Sequence, residues 1–471
     1  MTPRRAKIVC TLGPATSTYE TVLALVKAGM DIARLNFSHG SRADHAAIYA
    51  HVRRASDETG RAVGILVDLQ GPKIRLGNFA DGGTVLANGA TFTITTEEIL
   101  GDATLASTTY GALPADVKPG DSVLIDDGNV KLLVESTDGT RVVCTVVEGG
   151  RISNHKGINL PGVRVSAPSM SEKDREDVRF AMTLRADLIA LSFVRDPADI
   201  EQVHAIMDES GARLPVIAKI EKPEAVDRLG EIVRAFDGVM VARGDLGVEI
   251  PLEQVPLVQK RAVQFARAFA RPVIVATQML ESMITHSRPT RAEASDVANA
   301  VLDGADALML SGETSVGEWP IVAVETMDRI IREIESQSQV RIPPLAVRDD
   351  SLPDALAGAA VQIAGDVHAR ALVAFTESGN SARLLSAHRK QIPLLAFTAH
   401  PEVRSQLALA WGIETFVVPE MTSTDTMVNQ VEASLLALGR VAPGEHVVIV
   451  AGTPPGVSGA TNTIRLHRIG G

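Results

Sequence analysis

Lys219 and Glu221 stand two apart in Ala218-Lys219-Ile220-Glu221-Lys222, directly after the apolar run Pro215-Val216-Ile217-Ala218. On a strand that spacing puts both side chains on one face. A second acid, Asp245, follows 24 residues after Glu221 within Arg243-Gly244-Asp245-Leu246-Gly247, about one strand-plus-helix unit downstream. Two carboxylates hold Mg2+ when other oxygens complete its shell. A lysine beside them stabilises charge on a phosphoryl group in flight. The glycines flanking Asp245 allow close backbone approach to a ligand, and a helix starting there presents free N–H groups to an anion.

Three further segments carry polar groups after apolar runs. In Ala33-Arg34-Leu35-Asn36-Phe37-Ser38-His39-Gly40, Arg34 and Asn36 alternate with apolar residues, so the polar pair points one way. Arg34 suits a phosphate or carboxylate bidentately. Asn36 and Ser38 offer neutral oxygens, and Asp68 closes the next run with a charged one. Thr277 closes Ala276-Thr277-Gln278-Met279, and Ser311 and Glu313 open Ser311-Gly312-Glu313-Thr314. A hydroxyl at such a place is by itself a turn former, but beside a metal it could pass a proton to carbon, directly or through water.

These residues need elements to position them. Short apolar runs occupy 7–11, 31–36, 63–68, 188–193, 215–220, 238–242, 272–276 and 307–310. Most are nearly continuous Val, Ile, Leu, Ala and Met, the pattern of parallel strands buried on both faces. Amphipathic segments such as 19–27, 44–59, 174–184, 199–209 and 255–269 lie between them. Eight alternating units predict an α/β fold, a (β/α)8 TIM barrel, with the chemistry at the ends of the strands. The rhythm breaks between the third and fourth runs. There 91–95, 122–125, 130–134 and 141–147 alternate like strands, with turns at Asp81-Gly82, Asp127-Gly128 and Asp138-Gly139. This predicts a small β-barrel domain inserted in a barrel loop and able to act as a lid. After a linker at Arg341-Ile342-Pro343-Pro344, strand candidates at 371–375, 393–397, 414–418 and 446–451 predict a separate, doubly wound C-terminal α/β domain. The expected limits are 1–71 and 169–342 for the barrel, 72–168 for the lid and 352–471 for the C-terminal domain, which would serve effector binding and oligomerisation.

With 471 residues, 45% hydrophobic and 22% charged, the chain has the composition of a soluble globular protein. A formal charge of −11 argues against nucleic acid or an anionic membrane as partner, but leaves room for a basic pocket. Cys10 and Cys144 are the only cysteines and lack metal-ligand spacing, which suits a reducing compartment without a disulfide framework. The start turns directly into a strand with no signal-like segment, and no run approaches a membrane span; a cytoplasmic location is expected.

Taken together, the segments at 7–14, 34–40, 71–75, 156–162, 218–221, 241–247, 276–280 and 311–314 resemble those of pyruvate kinases, in order and at barrel-strand spacing. The resemblance runs from Lys7 to the C-terminus. It implies transfer of phosphate from phosphoenolpyruvate to ADP in glycolysis, giving pyruvate and ATP, with Mg2+, in a homotetramer. It further implies that Arg34 and Lys219 hold the substrate phosphate, that Glu221 and Asp245 bind Mg2+, and that the Gly244–Asp245 backbone receives the substrate carboxylate. Thr277, with Ser311 in the relay, would lie near the carbon that is protonated. The nucleotide would rest against Asn36, Phe37, Ser38, His39 and Arg75, with Lys156 reaching in from the lid.

Two departures matter. Members that require K+ bind it at positions matching Asn36, Ser38 and Asp68, with a threonine where this chain has Leu69; they carry Lys and Glu where it has Gln70 and Lys73. Lys73 is expected to fill that monovalent-cation pocket with its ammonium, making K+ unnecessary. The segment Thr376-Glu377-Ser378-Gly379-Asn380-Ser381 matches the family's effector phosphate loop, but Glu377 adds a negative charge within it. The later loop 452–456 has no cation. Weak or no activation by fructose 1,6-bisphosphate is expected; a sugar monophosphate or nucleotide effector using Arg383, His388 or Arg389 stays open. The competing readings are a Mg2+-dependent pyruvate-class aldolase, which would need no lid, and a non-catalytic regulatory paralogue, which would have lost Lys219, Glu221, Asp245 or Thr277.

Overall fold

The computed structural model describes residues 4–337, 342–343, 345, 351–420, 423–453 and 461–471. The first three residues, Arg341 and Pro344 of the expected linker, and 454–456 of the later loop lie outside these. Eight parallel strands close a barrel in sequence order: Lys7–Leu12, Ile32–Asn36, Gly64–Asp68, Leu188–Leu191, Val216–Ile220, Gly238–Ala242, Val273–Ala276 and Ala307–Leu310. Each run anticipated from its apolar character is one of these strands. Alternation then sorts each strand into two faces. Residues such as Ile8, Cys10, Leu35 and Val67 pack outward against the helices, whereas Val9, Ile32, Leu66, Ala190 and Ile217 fill the barrel interior. Two positions farther along that interior face come Thr11, Arg34, Asp68, Ser192 and Lys219. The barrel therefore carries a polar layer at its C-terminal mouth above an apolar floor, and Ala408 and Leu409 of the C-terminal part join that floor from below.

The opposite end is closed by a fourfold device. Asp31, Asp187, Asp237 and Asp306 precede the second, fourth, sixth and eighth strands. Each donates its backbone N–H to a carbonyl of the preceding odd-numbered strand: Ile8, Ile65, Val216 and Val273 respectively. Each carboxylate then accepts the N–H of that same residue, at 2.8, 2.7, 3.0 and 3.1 Å. An arginine neutralises every one: Arg4 and Arg61 at Asp31, Arg53 at Asp187, Arg271 at Asp237 and Arg389 at Asp306. N–H groups left over at the barrel rim thus find charged acceptors rather than none.

The collar makes opposite pH predictions at two of its members. Burial pushes the Asp187 carboxyl up to about 6, against the pull of Arg53. Its folded value exceeds the unfolded one of about 4, so its contribution to stability is fully present below pH ~4 and lost as pH rises through ~6. Burial also opposes the charge of Asp31, but Arg4, Lys7 and Arg61 hold its carboxyl below the ordinary range. Its contribution is present above pH ~4 and lost on further acidification. Asp187→Asn keeps an acceptor for Ile65 and should flatten the melting temperature between pH 4 and 7. Asp31→Asn takes one of two carboxylates from the buried Arg4, which keeps Asp328, and from the part-exposed Arg61 the only one it has among the described residues. It should cost about 1–3 kcal/mol in urea unfolding at pH 7.

The insertion after the third strand consists of a six-stranded sheet and a two-stranded ribbon around one core. The four strands anticipated there are present, with Gly82, Gly128 and Gly139 at positive φ in the expected turns. Gly83–Leu86, Leu105–Ser107, Gly150–Ser153 and Ile158–Asn159 are strands that alternation did not disclose. The C-terminal sheet has five strands, the four anticipated ones parallel and a fifth, Thr461–Arg468, antiparallel at the edge. Helices cover both its faces: Leu372 and Ala374 pack with Ala360 and Leu385, while Ala371 and Val373 pack with Val431 and Leu435. Cys10 and Cys144 are unpaired in separate cores. Burial raises both thiols, so neither is poised as a thiolate. No helix among the described residues is long and apolar enough to cross a membrane.

Candidate active site

The polar layer at the barrel mouth is a connected charge cluster. Asp68, 1% exposed, accepts from Arg34 Nε at 2.7 Å and lies 3.3 Å from Lys219 Nζ. Lys219 also pairs with Glu221 at 2.8 Å and donates to Ser192 Oγ at 2.7 Å. Burial disfavours the Lys219 ammonium, yet Asp68 and Glu221, with Asp245 farther off, hold its pKa above the ordinary value. Lys219 is therefore a fixed cation at neutral pH. Asp68 is held below its usual range by Lys219 and Arg34, although burial opposes this. Arg34 Nη1 donates to Thr11 Oγ1 at 2.9 Å, and among the described residues its Nη2 has no acceptor. One guanidinium edge thus stays available to an anion.

Glu221 sits just beyond its strand, 1% exposed, with the Phe193 N–H on its other oxygen at 2.8 Å. That N–H is aimed by a positive φ of 56° at Phe193. Burial and the neighbouring charge of Asp245 push the Glu221 carboxyl up. A divalent cation between the two acids would relieve both effects, and hard carboxylate oxygens are the donors Mg2+ takes. Among the described residues no three His, Cys, Asp or Glu side chains are grouped to hold a metal. Substrate and water oxygens must complete such a site, as Mg2+ at phosphates ordinarily requires.

Thr277 and Gln278 adopt positive φ, 75° and 55°, where a β-branched residue is strained. Arg243 maintains the turn. Its Nε and Nη2 donate to the Ala276 and Thr277 carbonyls at 3.1 and 2.6 Å, and Asp296 anchors its Nη1 at 2.8 Å. The buried Glu313 ties the last two strand ends together, accepting from Leu280 N and Ser311 N at 3.0 and 2.7 Å. Strand closure thus brings Arg34, Asp68, Lys219, Glu221, Asp245, Thr277 and Ser311 to one end of one barrel.

Comparison with known proteins gives the family. Residues 3–324 match the family described as pyruvate kinase, barrel domain, and residues 354–467 match pyruvate kinase, alpha/beta domain. The chain belongs to the pyruvate kinase family. It is 63% identical to a pyruvate kinase of Mycobacterium intracellulare, with 99% of each chain covered. Identity to the Corynebacterium glutamicum pyruvate kinase is 58%, covering 99% of this chain and 98% of the other. The crystal structure of a pyruvate kinase from Cryptosporidium parvum superposes with a TM-score of 0.91 at 37% identity, covering 99% and 96%. As a pyruvate kinase, the protein is a phosphotransferase.

Several residues are placed differently from the sequence-based expectations for a pyruvate kinase. Phe37 is 4% exposed and packs on His45 and Phe180, with ring centroids 4.5 and 5.8 Å away, so its ring does not present a nucleotide surface. The Asn36 carboxamide instead accepts the Ser38 N–H at 3.2 Å, shaping the turn before the exposed His39. Lys156 pairs with Asp126 at 2.7 Å and Arg75 donates to the His155 carbonyl at 3.0 Å, so both cations are engaged within the lid. Lys73 does not pair with Asp68, whose partners are Arg34 and Lys219; its ammonium lies 3.9 Å from Asp245.

In the C-terminal loop, Ser378 is exposed and Gly379, at φ 81°, leads into helix Asn380–Ala387. Ser381 is turned inward onto Thr461 at 2.5 Å, and Thr376 is buried. Arg389 is withdrawn from effector duty: it is the collar arginine of Asp306, at 2.6 Å, and 8% exposed. Thr11, Ser192, Phe193 and Arg243 received no role from the sequence. Thr11 and Ser192, two positions beyond interior Val9 and Ala190, had a periodicity signal that could have found them; Phe193 and Arg243 had none.

Proposed function

We propose that this protein transfers the phosphoryl group of phosphoenolpyruvate to ADP, giving pyruvate and ATP in glycolysis, with Mg2+ as cofactor. The observation that carries this reading is Lys219, a buried permanent cation between Asp68 and Glu221, beside an Arg34 with one uncommitted edge. Arg34 and Lys219 would bind the phosphate, and Lys219 would follow its charge through the transfer. Glu221 and Asp245 would hold Mg2+, whose positive charge would stabilise the negative charge of the transferring phosphoryl group. The N–H groups at Gly244–Asp245 would orient the substrate carboxylate. The lid excludes water, so that ADP rather than water accepts the group. Thr277, held in its strained turn, would hold the proton path to the enolate carbon with Ser311.

The same reading assigns 1–71 and 169–342 to the barrel, 72–168 to the lid and 352–471 to an effector and oligomerisation domain, in a cytoplasmic homotetramer. Lys73 beside Asp245 supports independence from K+ by a route other than filling the Asp68 pocket: its charge lies at the metal carboxylate. The nucleotide would meet Asn36, Ser38 and His39, with Arg75 and Lys156 turning toward it on closure. In the effector loop, Ser378, Gly379 and Asn380 could hold one phosphate, while the Glu377–His400 pair at 2.7 Å keeps a carboxylate at its edge.

The test is pyruvate formation from phosphoenolpyruvate and ADP by the purified protein. Activity should need Mg2+ and change less than about twofold when K+ is added to buffer free of Na+ and K+; strong stimulation would refute the Lys73 reading. Fructose 1,6-bisphosphate should leave the phosphoenolpyruvate saturation curve in place, and a marked leftward shift would refute the effector reading.

A further inference from the structure

Among the contacts between the lid and the barrel is a buried carboxylate, Glu249. Glu249 Oε1, with the side chain 2% exposed, accepts from Lys222 Nζ at 2.7 Å and from Asn159 Nδ2 at 3.0 Å. The three residues come from three places that matter. Lys222 directly follows Glu221, and its ammonium lies 5.4 Å from the ring centroid of Phe193, whose N–H bonds Glu221. Glu249 ends helix Arg243–Glu249, one turn beyond Asp245 and on the same side of that helix. Asn159 belongs to the lid: it pairs across its sheet with Leu124, and Ile158 N–H bonds Ile74 O, joining the two segments that connect lid and barrel.

The geometry points to Glu249 as a positioning residue that couples lid placement to the two carboxylates proposed to hold Mg2+. It touches neither substrate nor metal on this reading. It fixes the segment after Glu221 through Lys222, fixes the helix of Asp245 through its own backbone, and reports to both where the lid stands through Asn159. A cavity of about 250 Å³ lies against this junction, lined by Pro72, Phe193, Lys222 and Glu249 among others. It gives the connecting segments room to shift without unpacking the barrel. Drawing Glu221 and Asp245 onto a cation would thereby pull on the lid, and moving the lid would reset their spacing.

This inference rests on the metal reading of Glu221 and Asp245, and the experiment separates the two. Mn2+ is titrated against the full-length resting enzyme by electron paramagnetic resonance, and hydrogen exchange of residues 156–160 is followed with and without it. Wild type should bind Mn2+ and gain protection at 156–160, and Glu221→Gln should abolish binding. Glu249→Gln and Lys222→Met should each weaken Mn2+ about tenfold, the usual loss for an outer partner of a metal ligand. Asn159→Ala should bind Mn2+ nearly as wild type but lose the protection. Glu249→Asp should recover part of both effects. Unchanged Mn2+ affinity and protection in folded Glu249→Gln or Lys222→Met would overturn the coupling, leaving a structural bridge. Wild-type binding insensitive to Glu221→Gln would overturn the metal reading instead. If Glu249→Gln does not fold, Lys222→Met and Asn159→Ala decide alone.

Discussion

Lys219→Met should lower kcat for pyruvate formation by about 10³-fold or more at saturating Mg2+, the cost of removing one preorganised donor from a transition state plus the consequences for its neighbours. Those consequences are specific. Asp68 and Glu221, each 1% exposed, both face the ammonium. Without it, Asp68 keeps Arg34, but Glu221 keeps only the Phe193 N–H. Its carboxyl, already raised by burial and Asp245, is raised further once the Lys219 charge is gone. Half-saturation by Mg2+ should therefore shift upward too, and should improve as pH is raised, a dependence weak or absent in wild type. Lys219→Arg separates charge from shape: it restores a cation, but its planar fork does not fit where one ammonium reaches Asp68, Glu221 and Ser192 together, so recovery should be small. Steady-state assays with Mg2+ titrations at pH 6.5 and 8.5 check each step. A Lys219→Met enzyme within tenfold of wild type would remove Lys219 from the proposed chemistry.

The parts legible in the sequence are those set by local periodicity. Eight apolar runs became eight strands because burial on both faces leaves a continuous hydrophobic signature. The placing of Arg34, Asp68 and Lys219 together followed from alternation, since each lies two residues beyond an interior aliphatic: Ile32, Leu66 or Ile217. What alternation cannot report is the partner. Lys73 turned to Asp245, Lys156 to Asp126 and Arg389 to Asp306, choices set by which carboxylate three-dimensional packing leaves nearest. The aspartate collar was missed for another reason: its regularity skips every second strand, and each Asp resembles an ordinary strand-start residue. Thr461–Arg468 was missed because an edge strand with one solvated face reads Thr-Asn-Thr-Ile-Arg-Leu-His-Arg, too polar to stand out. The positive φ of Thr277 left no trace at all, since nothing about threonine announces it.

That strained turn makes Gly244→Ala a sharper probe of the site than removal of any charged group. A Cβ built on Gly244 falls 2.8 Å from Thr277 Cγ2, inside contact distance. Ordinarily a side-chain tip would swing aside. Here χ1 of a β-branched residue is stiff, and the backbone beneath it is held by Arg243 at φ 75°. Either the hydroxyl of Thr277 rotates out of place, or the helix start shifts and takes Asp245 with it. Both displace a reacting group by a good fraction of an ångström, for which a loss of about 10²-fold in kcat is the expected scale. Stability should fall far less than activity, because Ala replaces Gly within helix Arg243–Glu249 and up to about 1 kcal/mol of propensity offsets part of the cost of that displacement. The decisive comparison is Gly244→Ala with Thr277→Ser, which deletes Cγ2 and retains the hydroxyl. Thr277→Ser alone should stay within a few-fold of wild type, and the double variant should recover most of the activity that Gly244→Ala loses. If the double variant is no better than Gly244→Ala, the clash is not with that methyl, and the role of Gly244 lies in backbone approach to the substrate carboxylate instead.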